Sequence, residues 1–189
     1  MEVSDLNIFK EYKKNNRKGL ELVYDRYKKY VYSIAYHYSG NKEDALDITQ
    51  DVFISVFKAF GSFKEQYSIL PWIKKITVNK CLNFIRSRKE AVSLNTTNDN
   101  GDELQNILYS AEKTDAAVEC KDTKRALEEA IRSLPERQRM AVLLRHMKQM
   151  KYEEIASTMK LPQGTVKTLI HSGRTALKNS LIKQGVWEV

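Results

Sequence analysis

The sequence predicts an all-α protein: two small helical domains joined by a flexible acidic linker, the second carrying a helix-turn-helix. Three observations lead there. Apolar residues recur at intervals of three and four over most of the chain, and no segment alternates as a strand would. The 189 residues hold 7 Gly and 3 Pro, too few turn formers for an all-β chain. The helical period is lost at Leu94 to Asp102 (L-N-T-T-N-D-N-G-D), where Asn, Thr and Asp give turn and linker chemistry.

The elements follow from that period. Leu20, Val23, Tyr24, Tyr27, Val31, Ile34 and Ala35 form the apolar stripe of a long first helix. Asn41 reads as an N-cap with Asp44 as its capping-box-like partner, opening a second helix. Its inner face is Ala45, Ile48, Val52, Val56 and Phe57, and it ends near Gly61. A loop with aromatics runs from Gly61 to Leu70. Pro71 suits a first helical turn, and a third helix is predicted from about Pro71 to Lys89 with Trp72, Ile76, Leu82 and Ile85 inward. Beyond the linker the period gives helices at Lys121–Leu134, Glu136–His146, Tyr152–Met159 and Gln163–Lys183.

Composition narrows the class. Hydrophobic residues are 42% and charged residues 30%, as in a folded soluble helical protein. No apolar run is long enough to span a membrane and the start is not a signal peptide, so a cytoplasmic protein is expected. Cys81 and Cys120 stand apart without a ligand pattern, which suggests neither a metal nor a disulfide. The formal charge of +8 favours a polyanionic partner, and its distribution says more than its sum. Residues 1–90 carry 17 Lys/Arg against 11 Asp/Glu, residues 91–119 only Lys113 against six acids, and residues 120–189 carry 14 against 7. Two basic blocks flank an acidic one.

The segment Y-E-E-I-A-S-T-M-K-L-P-Q-G-T-V-K-T-L-I-H-S-G-R, beginning at Tyr152, fits a helix-turn-helix on physical grounds. Ile155 and Met159 share a face, small Ala156 admits a close crossing, Leu161 plugs the turn, and Val166 and Leu169 bury the second helix. Pro162 ends one helix and suits the start of the next. Lys160 occupies the turn, at a small cost if the turn is not strongly left-handed. Gln163, Thr165, Lys167, Thr168 and His171 then point outward, side chains able to reach base edges, while Lys167 and Arg174 suit phosphates. His37 and His146 are read as structural or exposed.

Three runs carry a resemblance. Ser133 to Arg145 (S-L-P-E-R-Q-R-M-A-V-L-L-R), followed by the helix-turn-helix, resembles the −35-reading domain of extracytoplasmic-function sigma factors of the sigma-70 family. Asp44 to Phe57 (D-A-L-D-I-T-Q-D-V-F-I-S-V-F) resembles that family's D-A-E-D-l-x-Q-e-x-F segment. L-P-W-I-K-K-I-T-V-N-K-C-L-N-F-I-R-S-R, from Leu70, resembles its W-l-x-r-I-a-x-N-x-x-x-D-x-x-R helix, with Asn83 where Asp is commoner.

The resemblance implies a factor that directs bacterial RNA polymerase core to promoters and assists melting. It has a sigma-2-like domain at 1–90, a linker at 91–119 and a sigma-4-like domain at 120–189. Asp47, Gln50, Asp51 and Ile54 share one outward face, which the resemblance assigns to the coiled coil of the polymerase's largest subunit. Lys75, Asn79, Asn83 and Arg86 recur near one stripe, assigned to the upstream edge of the −10 element. Phe63 and Tyr67, in the loop, would cradle a base flipped from the non-template strand; for Phe63 a place in the core fits the sequence equally well. Gln163, Thr165, Lys167, Thr168, His171 and Arg174 would read double-stranded −35 DNA. The acidic linker would thread the polymerase cleft, and an anti-sigma factor is an expected partner. No cofactor, metal or small-molecule substrate is expected, and no enzymatic activity, since there is no phosphate-binding loop or ligand cluster. A stand-alone helix-turn-helix regulator binding palindromic DNA as a dimer is the alternative, and a small nuclease a more distant one. Residues 1–16 and 184–189 receive no assignment.

Overall fold

The computed structural model describes residues 4–94 and 115–187, with side chains for 4–87 and 123–187. Among the described residues eight helices follow in order: α1 (Asp5–Lys14), α2 (Asn16–Ser39), α3 (Lys42–Phe60), α4 (Ile69–Leu94), α5 (Asp115–Ser133), α6 (Glu136–His146), α7 (Tyr152–Met159) and α8 (Gln163–Lys183). No strand occurs among the described residues. The bounds of α6, α7 and α8 match those the apolar period predicts. Helices α4 and α5 run further into the predicted linker, because A-V-S-L and D-A-A-V-E contain no Pro or Gly to stop them. The rest of the linker lies outside the described residues.

Helix α1 is the element the sequence reading missed. Ser4 caps it by accepting the Asn7 N–H at 3.3 Å, Asp5 opens its first turn and Lys13 and Lys14 close its last. Asn15 ends α1 and begins α2, donating its N–H to Glu11 O and accepting the Lys18 N–H on its side chain. The two helices lie close because α2 presents Gly19: a Cβ there would sit 2.4 Å from Tyr12 Cβ. Gly40, at φ +85°, ends α2 in the left-handed conformation. Asn41 caps α3 as expected, accepting the Asp44 N–H at 2.8 Å.

Helices α1–α4 bury Ile8, Phe9, Val23, Val31, Ile48, Val52, Phe60, Ile73 and Val78 in a common core. On α3 the buried aromatics are Phe53 and Phe60, with Phe57 only half-buried. On α4 the fully buried line is Ile69, Ile73, Val78 and Cys81, while Trp72, Ile76, Leu82 and Ile85 are half-buried along its margins.

In the second half, Met140 to Leu144 of α6 are all buried, so the middle of this short helix is covered on every side. It packs against α8 and α7 and against α2 and α4 of the first half, which joins both halves into one apolar cluster. The buried line of α8 is Val166, Ile170 and Gly173, with Leu169 only half-buried. A Cβ on Gly173 would lie 2.7 Å from Val142 Cγ2, so the absent side chain is what lets α8 lie on α6.

Lys160 corrects the expectation for the turn. It adopts φ 54°, ψ 47°, fully left-handed, and is exposed. An L-residue with a side chain pays about 1–2 kcal/mol for that conformation. Lys160→Gly should therefore raise the stability of the protein by up to ~1 kcal/mol in urea titration, after allowing for the greater freedom of glycine in the unfolded chain. An unchanged midpoint would show that the turn holds no strain. Gly173→Val should cost about 1–3 kcal/mol through overpacking against Val142; a wild-type midpoint in the same titration would show that α6 and α8 can part without loss.

Candidate nucleic-acid and protein interfaces

Three outward faces hold most of the predicted site residues. On α8, Gln163, Thr165, Lys167, Thr168, His171 and Arg174 are all exposed, while Val166 and Ile170 opposite them are buried. Two polar groups are already tied within the protein. The Gln163 amide donates to Glu153 of α7 at 2.7 Å, and the Thr168 hydroxyl donates to Gly164 O at 3.1 Å. Lys167 and Arg174 lie on the same exposed helix, where a DNA backbone would meet them.

On α3, Asp47, Gln50, Asp51 and Ile54 are exposed together. Leu46 at 59% and Ile54 at 43% exposure add apolar area to this acidic face. The face thus combines carboxylates with aliphatic anchors, which suits a protein partner better than a polyanion. Asp51 approaches Lys80 of α4 at 3.7 Å, an exposed pair that stabilises little and leaves the carboxylate accessible.

On α4, Lys75, Asn83 and Arg86 are exposed and Asn79 is half-buried. The structure separates the two loop aromatics. Tyr67 is 57% exposed. Phe63 packs inward: its ring centroid lies 4.6 Å from Trp72 and 5.9 Å from Phe9, the latter pair nearly parallel. Phe63 is therefore part of the aromatic cluster over α1, α3 and α4, which leaves Tyr67 as the loop ring open to solvent.

Sequence reasoning missed Asp5. Its carboxylate accepts the Tyr27 hydroxyl at 2.8 Å, the Ser68 hydroxyl at 3.2 Å and the Ile69 N–H at 3.0 Å. No local pattern signals a contact across 64 positions. Burial, and then the bond to Asp5, push the Tyr27 phenol far up, so it stays protonated as a donor.

A groove of about 1160 Å³ opens in the second half between α5, α6 and α8, lined among others by Val142, His146, His171, Arg174 and Trp187, with His37 of α2 at its edge. Burial lowers the pKa of His37, and burial followed by the Arg174 charge lowers that of His146. Cys81 is buried and its thiol is pushed up to about 12, which keeps it neutral. Among the described residues no three potential ligands gather as a metal site. No described helix is long and apolar enough to cross a membrane.

Two family profiles match the chain in separate blocks. Sigma-70 region 2 matches residues 23–91, and Sigma-70, region 4, matches residues 124–177. The chain belongs to the sigma-70 family. Similar relatives are of the extracytoplasmic-function type. The ECF RNA polymerase sigma factor SigW of Bacillus subtilis is 28% identical, over 96% of this chain and 98% of its own. The ECF RNA polymerase sigma-E factor of Escherichia coli K12 is 27% identical, over 95% of each. Two solved structures share the fold: the sigma factor RpoE of Bartonella quintana, in complex with the anti-sigma factor NepR, at TM-score 0.66 and 19% identity over 87% of this chain and 97% of that one; and CnrH, in complex with the cytosolic domain of CnrY, at 0.63 and 17% over 95% and 97%. This sigma factor directs RNA polymerase to promoters, and sigma factors are initiation factors rather than enzymes.

The two histidines of the groove set a pH dependence. Both have folded pKa values below the ordinary 6.5, so the unfolded chain binds more protons as pH falls through that value. Their contribution to stability is complete above about pH 6.5 and is lost as pH falls through their lowered folded values. Thermal melts of the sigma factor should fall between about pH 7 and pH 5, and a His37→Gln, His146→Gln double variant should show a shallower fall. Equal slopes for the two proteins would place the acid sensitivity elsewhere.

Proposed function

We propose that the three exposed faces divide the work of initiation. Residues 1–90, with α1–α3 and most of α4, act as the sigma-2-like domain; 91–119, which include the end of α4 and the start of α5, connect; residues 120–189, with the rest of α5 and α6–α8, act as the sigma-4-like domain. Asp47, Gln50, Asp51 and Ile54 dock on core polymerase. Lys75, Asn79, Asn83 and Arg86 meet the upstream edge of the −10 element, and Tyr67 receives an unstacked base. Gln163, Thr165, Lys167, Thr168, His171 and Arg174 enter the −35 major groove. The observation that carries this reading is that each polar set, Asn79 half-buried and the rest exposed, lies on one side of its own helix while the opposite side is buried.

Melting follows from differential binding. A captured base and phosphate contacts stabilise the opened strand relative to the duplex, and no hydrolysis is needed. Unstacking costs a few kcal/mol, about what one stacking contact with an aromatic ring and its edge contacts return. Such a protein works where the chromosome is, in the cytoplasm.

An anti-sigma partner fits the groove of the second half that His37 borders. Both structural neighbours were solved with anti-sigma factors or a fragment named CnrY. An occupant of this groove would touch His37 of the first half together with His171 and Arg174 of the recognition helix, and so block −35 reading while holding the halves together.

The test is run-off transcription from a genomic fragment library with sigma-free core polymerase. The wild type should give specific starts. Asp51→Arg should abolish them through lost core binding, and Lys167→Glu should lower them about tenfold or more with core binding intact. If the protein neither binds core nor directs starts, yet shifts palindromic DNA as a dimer, the chain is a stand-alone regulator and the assignment of faces falls.

A further inference from the structure

We infer that Asp5, on a helix outside the Sigma-70 region 2 match, is a positioning residue that holds the loop 61–68 in the shape that captures an unstacked −10 base. The inference rests on the assignment of Tyr67 given above.

Loop 61–68 is fastened at each end by different means. At its start, turn bonds run from the Ser62 and Phe63 N–H groups to Ala59 O and Phe60 O, and the Phe63 ring stacks on Phe9 of α1 and lies tilted against Trp72. At its end, the next element is α4, whose first N–H groups have no partner within the helix. Such a donor is usually met by the preceding residue's own side chain. Here Asp5 meets it from another helix. Its Oδ2 accepts the Ile69 N–H and the Ser68 hydroxyl, and its Oδ1 accepts Tyr27 with Arg26 at 3.9 Å. One carboxylate thereby joins α1, α2, the loop and α4.

Helix α1 touches the loop a third time through Lys13 and Glu65 at 2.7 Å, an exposed pair of small weight. Between the anchors Tyr67 remains exposed, its N–H bonded to Lys64 O at 3.1 Å and its chain neighbour Ser68 held by Asp5. A loop fixed beforehand loses less conformational freedom when it binds, and its aromatic ring stays where the base must arrive.

The asparagine variant separates hydrogen bonding from charge. In Asp5→Asn the amide oxygen could accept from both Ser68 and Ile69 while the amide nitrogen donates to the Tyr27 hydroxyl, which can turn to accept. Asp5→Ala can do neither. The test uses holoenzyme of core polymerase and the full chain, with the single-stranded oligonucleotide that the wild type selects from a randomised pool. Its comparison strand differs by one base at the most strongly selected position. Asp5→Ala should weaken the selected strand about five- to tenfold and compress the ratio between the two strands, with core and −35 duplex affinities unchanged. Asp5→Asn should stay within about twofold of wild type in both measures.

Loss of folded protein would lower all affinities alike and leave the ratio between strands untouched. An unaltered ratio in Asp5→Ala overturns the inference, as does a ratio that Asp5→Asn fails to restore. Should Asp5→Ala give too little folded protein, Ser68→Ala removes only the loop's hydroxyl and is read by the same ratio. If wild-type holoenzyme selects no strand at all, the assignment of the loop falls first and this inference with it.

Discussion

The guanidinium of Arg139 is the contact on which the mutual placement of the two halves depends. It donates to Tyr38 O at 2.8 Å, to Leu134 O at 3.1 Å and to Arg132 O. Tyr38 and Arg132 lie in the last turns of α2 and α5, where carbonyl groups lack partners within the helix and carry the negative end of the dipole. One cation thus serves two helix ends and their connection to α6. The Tyr38 ring lies 5.6 Å from the same guanidinium. Burial lowers the pKa of Arg139 from its ordinary value, yet no accessible pH removes the charge. Lys148 adds a second tie, donating to the Ser33 hydroxyl at 2.9 Å above the Tyr30 ring. Since α8 lies on α6 through Gly173, the direction of the recognition helix relative to α2 and α4 follows from these contacts.

Much of this architecture was legible in the sequence because it rests on local period and local caps. Asn41, the span of α6 and the outward residues of α3 and α8 all follow from spacing within one helix. What escaped depends on a second element. Helix α1 carries only Ile8, Phe9 and Tyr12 as an apolar face, too short a stripe to stand out, and it is stable because α2 and the aromatic cluster cover it. Gly173 reads as a neutral helix residue until Val142 is known to lie against it. The sequence pattern reads Leu169 as inward, yet Ile170 is the buried one, because α6 decides which side of α8 is covered. Phe63 had two equal readings until Phe9 and Trp72 supplied its neighbours. Lys160 gave no sign of its left-handed backbone, since residue type alone suggests another conformation there.

The division between buried ties and exposed faces has a functional reason. Residues that must meet DNA or polymerase have to stay hydrated until they do, so the fold can spend only the opposite side of each helix on its core. The middle of helix α6, Met140 to Leu144, has no such duty and is buried, and α6 packs against α2 and α4 of the first half as well as α7 and α8 of the second. The joints it makes mix apolar packing with polar bonds to backbone carbonyls and a serine. Those polar groups can return to water if the halves separate, so the exchange costs far less than exposing an equal number of unpaired buried groups would.

Chain length then decides whether separation could serve two promoter elements. From Leu94 to Asp115 there are 21 peptide steps (115 − 94), which covalent geometry limits to about 70 Å. That is about 20 base pairs of duplex at ~3.4 Å each. Two domains so joined can bind sites up to about two helical turns apart on one DNA face, each raising the other's local concentration. Neither surface then has to bind tightly alone. On the proposed assignment the −35 face would supply a few base and phosphate contacts, and the −10 face would have to hold its loop ready because an unstacked base is present only briefly. An exposed Tyr67 on a backbone fastened at Phe63 and Ser68 would meet that demand. Phe9 and Asp5, which hold those two points, lie on α1, a helix that carries none of the predicted recognition residues.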